Sequence, residues 1–156
     1  MKNSIRSYLN NVHNPLQVLA AITYTDSLAG VTPERLQGFF VGWPTPPSPE
    51  THLKVLAGSW AVVLAVEVTT QRIVGFITAI SDGVSAAYIS HLEVLPDYQR
   101  QGIGTELARR MLAKLRNLYM VDLICDPDVQ PFYERLGMQR YSGMILRHYD
   151  RQSGER

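Results

Sequence analysis

Residues 92–115 read LEVLPDYQRQGIGTELARRMLAKL, which predicts a strand, a turn and a helix in that order. The apolar strand ends at Pro96, because proline cannot donate a backbone hydrogen bond to a neighbouring strand. Gly102 and Gly104 then open the helix, and the absence of a Cβ lets a ligand approach their backbone. The first amides of a helix have no partner within it and favour an anion. This turn is therefore a predicted phosphate or pyrophosphate site.

The spacing of the glycines distinguishes between known phosphate-binding loops. A Walker A loop needs G-x-x-x-x-G-K-[ST], which is absent, and a dinucleotide fingerprint needs a third glycine where Leu107 stands. The order V-x-P, Q-x-x-G-x-G and helix resembles motif A of the GNAT superfamily of acetyl-CoA-dependent N-acetyltransferases. The alternative is a glycine-rich helix entry without a ligand.

The resemblance implies that acetyl-CoA is the cosubstrate and that this turn binds its pyrophosphate. It also implies that the backbone of the preceding strand binds the pantetheine arm and polarises the acetyl carbonyl. The implied cofactor-binding residues are Leu92, Val94, Gln99, Arg100, Gln101, Gly102, Ile103, Gly104, Thr105 and Tyr133.

The predicted helix is amphipathic. Its apolar residues recur at three- and four-residue spacing from Ile103 to Leu118, so one face is expected to pack on a sheet. Residues 99–116 carry five basic side chains and one acidic one, on a chain whose net charge is only +1. We interpret this face as attractive to a polyanionic cofactor. Lys114 and Arg116 also fit an ordinary solvated helix end.

A second motif lies at Phe132-Tyr133-Glu134-Arg135-Leu136-Gly137-Met138. It resembles the F-Y-x-x-x-G-F segment of the same family, with methionine at the last position. The resemblance implies that Tyr133 lies near the thioether sulfur and protonates the departing thiolate. The alternative is a tyrosine that only packs on the sheet. The family often has an asparagine slightly upstream, where this chain has Asp126-Pro127-Asp128.

An amine acceptor is protonated near neutral pH, so a base must remove a proton before attack. Strict alternation along residues 86–94 puts Tyr88 and Ser90 on one face and His91 and Glu93 on the other. The resemblance places the base at Ser90 or Tyr88, which favours a water relay because neither is a strong base. His91 is expected to be structural or on the surface. The predicted catalytic residues are Tyr133, Glu93 and Ser90.

Length and composition favour a single domain over residues 1–156. The apolar content of 46% and charged content of 19% are typical of a soluble globular protein. The lone cysteine, Cys125, cannot form an internal disulfide and is expected to be a small, buried and inert apolar residue. No run of apolar residues reaches the length of a membrane span or forms the core of a secretory signal. We therefore predict a cytoplasmic protein without membrane, nucleic-acid or metal partners.

The remaining pattern predicts an α/β fold, as in the GNAT family, from about residue 20 to 149. Leu16–Ile22 fits either a short helix or the start of the first strand. The predicted helices are residues 32–40 with Thr32 as cap, residues 48–56, the long helix after Gly102, and Gln130–Leu136. The predicted strands are Trp60–Val68, Ile73–Ile80, Ala86–Val94, Tyr119–Cys125, and one or two closing strands at Tyr141 and Ile145–Tyr149. The resulting sheet is mixed and mostly antiparallel, with a splayed parallel strand pair and flanking helices.

These features predict direct acetyl transfer from acetyl-CoA to a primary amine in a ternary complex. A small amine is favoured, because residues 36–56 are rich in aromatics and proline and suit the wall of a pocket. The alternative for this region is a core-facing helix followed by a rigid loop. The alternatives are a protein lysine or N-terminal amine as acceptor, or a non-catalytic CoA-binding regulatory module. The chain also loosely resembles plant plastid acetyltransferases of serotonin-like amines and protein lysines. Its predicted oligomeric state is monomer or homodimer.

Overall fold

The computed structural model describes residues 20–154 and contains one five-stranded sheet with flanking helices. The strands are β1 Ile22–Thr25, β2 Ala61–Glu67, β3 Ile73–Ser81, β4 Ala86–Val94 and β5 Met120–Asp122, and the α-helices are α1 Pro49–Gly58, α2 Ile103–Leu115 and α3 Gln130–Glu134. Single 3-10 turns cover Pro33–Leu36, Pro96–Tyr98 and Tyr149–Arg151. The strand order is β1-β2-β3-β4-β5, antiparallel except for the parallel pair β4–β5. The predicted α/β class and mixed sheet are therefore confirmed.

The two faces of the sheet are covered by different helices. Helix α2 packs on one face through its predicted apolar stripe, in which Leu107, Met111 and Leu115 are fully buried. The helix lies very close to β3, since a Cβ built on Gly75 would be 3.0 Å from Leu107 Cδ1. On the other face, Phe39, Phe40 and α1 residue His52 pack around Phe76 of β3.

The prediction for the two early helices is half right. Helix α1 begins as expected, with Ser48 Oγ accepting a hydrogen bond from the Thr51 amide at 3.2 Å. The helix predicted from Thr32 to residue 40 is wrong, because only the single turn Pro33–Leu36 forms. Thr32 makes no capping hydrogen bond with its side chain, and the positive φ of Gly38 (88°) and Phe40 (61°) is incompatible with a continuing helix.

Two strand predictions near the end of the chain also need correction. The strand predicted over Tyr119–Cys125 is shorter, because only Met120–Asp122 pair with β4. The closing strands predicted at Tyr141 and Ile145–Tyr149 do not form in the described part of the chain, where residues 138–148 have no regular structure. At the other end, Ile22 begins β1, whereas residues 16–19 of that prediction lie outside the described residues.

None of the helices within residues 20–154 is both long enough and apolar enough to cross a membrane.

Candidate active site

The parallel strands β4 and β5 separate after three paired residues. Their pairing runs only from Ala86↔Met120 to Tyr88↔Asp122, although β4 continues to Val94 and stays paired with β3 on its other side. Residues 89–94 of β4 therefore have no strand beside them on the β5 side. A cavity of about 580 Å³ opens in this gap, lined by residues 89–93, residues 123–126, Tyr133 and, opposite, Phe40, Val41 and Trp43. We call this gap the β4–β5 cleft.

The predicted phosphate turn begins where β4 ends. Gly102 adopts a φ of +83°, and a Cβ built on it would meet no atom within 4 Å. The backbone here therefore faces open space and has a conformation that favours glycine. The first backbone bond of α2 runs from the Glu106 amide to Gly102 O at 3.0 Å. The amides of residues 103–105 consequently have no partner within the helix.

The other predicted residues of the turn fall into two groups. The side chains of Gln99 and Gln101 stabilise the turn itself, since their amide nitrogens donate to Val94 O (2.9 Å) and Asp97 O (3.1 Å). Ile103 is buried in the core, so only its backbone can contact a ligand. Arg100 is exposed and adopts a positive φ of 59°, an uncommon conformation for a residue with a side chain.

Some of the basic side chains of α2 form ion pairs with other residues of the chain. Arg110 forms an ion pair with Glu106 at 2.7 Å and also lies 4.8 Å from the centre of the Tyr24 ring. Lys114 forms an ion pair with Asp26 at 2.6 Å, so it contributes to structure, as its position at the helix end indicated. Within residues 20–154, Arg100 next to the turn has no ion-pair partner and is available to an anion.

Tyr133 lies at the cleft, on the short helix α3. The amides of Leu136 and Met138 both donate to Tyr133 O, and Gly137 ends the helix with a φ of 93°. The side chain is only 9% exposed, and burial, followed by the charge of nearby Cys125, raises the pKa of Tyr133 to about 12. The phenol therefore stays protonated throughout the physiological pH range.

Cys125 faces the same cleft and is half-buried. Burial, followed by the charges of Asp126 and Asp128, raises the pKa of the Cys125 thiol. A raised pKa disfavours the thiolate, the nucleophilic form, near neutral pH, whereas the predicted burial of Cys125 is only partial.

A β-bulge brings together two residues that strict alternation had separated. The register of β3 and β4 moves from Thr78↔His91 to Ala79↔Ile89, which leaves Ser90 as an extra residue. Thr78 Oγ1 consequently lies 3.1 Å from Ser90 Oγ and 3.0 Å from His91 Nδ1. The prediction that Ser90 and His91 lie on opposite faces is therefore wrong, and both line the cleft.

Aromatic packing keeps the imidazole of His91 neutral. The ring lies 5.9 Å from the Phe40 ring and 6.2 Å from the Phe76 ring, and burial lowers the pKa of His91. His52, deeper in the same cluster, has its pKa lowered to about 4 by burial and then by the charge of His91. His52 does not reach the cleft, so His91 is the histidine that a substrate there could meet.

Glu93 connects the cleft to the loop that follows the 3-10 turn Pro33–Leu36. Its carboxylate accepts hydrogen bonds from the Phe40 amide at 2.8 Å and the Val41 amide at 3.0 Å. Each oxygen therefore accepts one backbone hydrogen bond, and the pair stabilises Phe40 in its left-handed conformation at the wall of the cleft. Sequence reasoning identified Glu93 but could not indicate this contact, which joins residues more than 50 positions apart.

Within the described residues, no group of three or more His, Cys, Asp or Glu side chains is arranged to hold a metal ion.

Known proteins are similar to this chain in sequence and in fold. The chain is 30% identical over 100 residues to an uncharacterized N-acetyltransferase, ycf52, of Porphyra purpurea, covering 62% of this chain and 58% of that protein. It is 38% identical over 68 residues to the chloroplastic GCN5-related N-acetyltransferase 3 of Arabidopsis thaliana, covering 42% and 29%. The chain thus spans little more than half the length, or less, of these curated relatives.

A solved structure and a family model extend the likeness over the site. The crystal structure of a proposed acetyltransferase from Deinococcus radiodurans R1 superposes with a TM-score of 0.85 at 50% identity, covering 88% of this chain and 96% of that one. The model of the acetyltransferase (GNAT) family matches residues 28–138, which include the phosphate turn, the β4–β5 cleft and Tyr133. The motifs, the split strand pair and these likenesses agree, and the chain belongs to the GNAT family of acetyltransferases.

Proposed function

We propose that this chain transfers an acetyl group from acetyl-CoA to a primary amine by direct attack in a ternary complex. The observation that carries the proposal is the β4–β5 cleft, where residues 89–94 of β4 have no strand on their β5 side, and which is followed along the chain by a helix start whose first amides have no partner within the helix. A pantetheine arm could lie along β4 like an additional strand. The pyrophosphate would then meet the open backbone at Gly102.

The residues present fit acetyl-CoA. The amides of residues 103–105 and the positive end of the α2 dipole suit a pyrophosphate, and Arg100 adds a free positive charge. The open space at Gly102 allows close approach of the backbone. Leu92 and Val94 would hold the pantetheine arm through their backbone, as the family resemblance implies. Acetyl-CoA supplies the acetyl group as an activated thioester.

Two groups of the cleft can move protons for this reaction. His91 is neutral because burial lowers its pKa, so it can accept the proton of an attacking amine, and Thr78 fixes the orientation of its ring. Ser90 would contact the same amine directly or through water, as the sequence predicted. Tyr133 keeps its proton, with a pKa raised to about 12, and faces the departing sulfur as a hydrogen-bond donor. Glu93 positions the wall of the cleft.

A small amine is the proposed acceptor. The amine would enter the part of the β4–β5 cleft that the pantetheine arm leaves free. Its outer wall is formed by Phe40, Val41 and Trp43, held in place by the bonds from Glu93. An apolar wall beside a neutral histidine suits the apolar body of a small amine better than a charged peptide.

The proposal is tested by binding and turnover with purified protein. Acetyl-CoA should raise the melting temperature by mass action, whereas NAD and ATP, which lack pantetheine, should not. It should also protect Cys125, the chain's only cysteine, from alkylation, because that thiol lines the cleft. A panel of small amines, polyamines and lysine peptides should then reveal which class consumes acetyl-CoA. Absence of both stabilisation and protection would refute the assignment.

The phosphate turn gives a separate prediction. Gly102→Val places a branched side chain at a φ of +83° and into the open space left for the pyrophosphate. We expect its Kd for acetyl-CoA, measured by calorimetry, to rise by more than about tenfold, because the branched side chain prevents the pyrophosphate from approaching the backbone closely. Gly58→Val, at a helix end where a Cβ also meets nothing within 4 Å, is the control and should bind normally. If Gly102→Val binds acetyl-CoA as normally as Gly58→Val does, this turn is not the phosphate site.

A further inference from the structure

His52 is a buried polar side chain for which the fold provides no hydrogen bond. It lies on α1 and is only 1% exposed. Within residues 20–154, neither nitrogen of its ring has a hydrogen-bond partner. A buried polar group without a partner carries a desolvation penalty that an apolar side chain of similar size would avoid. Packing alone therefore does not explain a histidine at this position.

Three phenylalanine rings surround the imidazole of His52. The ring centres of Phe39, Phe40 and Phe76 lie 5.2, 4.9 and 4.3 Å from it. A water enclosed by these rings would lack the roughly two to four polar partners that a buried water needs. Phe40 and Phe76 also line the β4–β5 cleft, whereas His52 does not. These two rings therefore lie between His52 and the cleft.

The backbone of Phe40 is unfavourable for a bulky side chain. Its φ is 61°, and the carboxylate of Glu93 stabilises this conformation by accepting the Phe40 amide at 2.8 Å and the Val41 amide at 3.0 Å. The flanking Gly38 and Gly42 also have positive φ, at 88° and 81°, which suits glycine. An aromatic side chain at a strained position points to a function for its ring.

Phe40 is also the ring of this cluster that can move most easily. Its ring lies 5.1 Å from the ring of Trp43, which is 40% exposed, whereas Phe76 is fully buried in the paired strand β3. A change of the Phe40 rotamer moves one side chain toward this open side and leaves the backbone bonds to Glu93 intact. Such rotamer changes are common when a ligand binds. The displaced ring would uncover the imidazole of His52 to the cleft.

We propose that His52 recognises the far end of the acceptor, which reaches the imidazole when the ring of Phe40 rotates out of the wall. The acceptor is then a primary amine whose other end carries a hydroxyl or a similar hydrogen-bonding group. A neutral imidazole has one donor and one acceptor nitrogen, so it can bond a hydroxyl in either direction. The amino group stays with Ser90 and His91 on the cleft side of Phe40. This inference rests on the proposed function, because it names the class of its acceptor.

The missing partner of His52 favours the bound state. A hydroxyl supplies a hydrogen bond that the imidazole makes only when Phe40 has rotated, so a hydroxylated amine binds that state more tightly and increases its population. An alkylamine with a methyl group in place of the hydroxyl would leave His52 unpaired. Unpaired polar groups in a site discriminate strongly against a substrate that lacks the matching group. His52 therefore determines specificity, while the chemistry remains at the other end of the amine.

Nitrogen NMR of the histidine rings in the full chain tests the contact without turnover. The probes are ω-amino alcohols of increasing length, added together with CoA. Each is compared with the alkylamine that has a methyl group in place of the hydroxyl. At least one amino alcohol should shift the two ring-nitrogen signals of His52, which the variant His52→Phe identifies by losing them, and its alkylamine should not. If no amino alcohol shifts these signals, or if both amines shift them equally, the proposal is overturned.

Turnover then measures the preference. The wild-type kcat/KM for the amino alcohol should exceed that for its alkylamine by at least about tenfold, and His52→Phe should reduce this ratio to about one. His52→Gln keeps a donor and an acceptor and should restore part of the ratio. His148→Phe is the matched control, because His148 is exposed and lies outside the cleft, and it should keep the wild-type ratio.

The possible failures are distinguishable. A ratio that His52→Phe leaves at the wild-type value would refute the role of His52, even if the chain acetylates both amines. If the chain acetylates no amine of any class, the proposed function fails, and the ring-nitrogen signals of His52 still decide whether the imidazole binds the hydroxyl.

Discussion

Tyr133→Phe should lower the rate of acetyl transfer by roughly 10²–10⁴, which is the usual contribution of a general acid. The substitution removes one hydroxyl and keeps the ring, which packs edge-on against Phe132 at 4.9 Å. A pKa raised to about 12 means that the hydroxyl carries its proton in the ground state and can serve the departing sulfur. The affinity for acetyl-CoA should change by less than about 1.5 kcal/mol, the net worth of one neutral hydrogen bond.

Steady-state rates and calorimetric acetyl-CoA binding, measured on the same preparation, separate the two effects. Tyr119→Phe is the matched control, because it makes the same chemical change at a tyrosine that is 89% exposed and outside the cleft. It should leave both quantities unchanged. An unaltered rate in Tyr133→Phe would mean that another group or water protonates the sulfur. Lost acetyl-CoA binding with an intact fold would instead make Tyr133 a binding contact.

Local patterns in the sequence predicted most of the fold that positions these groups. The 3.6-residue period of α2, the hairpin of β2 and β3 and the cap at Ser48 are all determined by residues close in sequence. The family resemblance added the expected cosubstrate and the expected role of Tyr133. The helix predicted after Thr32 failed because the backbone at Gly38 and Phe40 is set by contacts outside that segment, including the carboxylate of Glu93.

The features that the sequence could not predict arise from long-range contacts. The bulge at Ser90 has no glycine or proline to mark it, and it is visible only in the register between β3 and β4. This single extra residue is the reason that we propose His91 as the base, because it places Ser90 and His91 around the same Thr78 hydroxyl. The closing strands predicted after residue 140 would need an edge to pair with, and a local sequence pattern does not determine whether that pairing forms.

His91→Gln gives the sharpest test of the bulge as a catalytic feature. If His91 accepts the proton of the amine, the turnover rate should fall by roughly 10²–10⁴ while the affinity for acetyl-CoA stays the same. The pH profile gives a second readout. A base must be neutral, so kcat/KM of the wild type should fall as the pH drops through the pKa of His91. Burial lowers that pKa, so this loss should lie below the ordinary histidine value of about 6.5.

Three neighbouring substitutions test whether His91 alone causes the fall of kcat/KM at low pH, which we call the acidic limb. Thr78→Val removes the hydroxyl that orients His91. It should lower turnover less than His91→Gln does, and the acidic limb of kcat/KM should remain. Glu93→Gln should loosen the Phe40–Val41 wall and raise KM for the amine, again with the limb intact. Ser90→Ala tests the water relay directly. If His91→Gln keeps the wild-type rate and limb while Ser90→Ala or Glu93→Gln loses them, the base is not His91, and the bulge serves only the shape of the cleft.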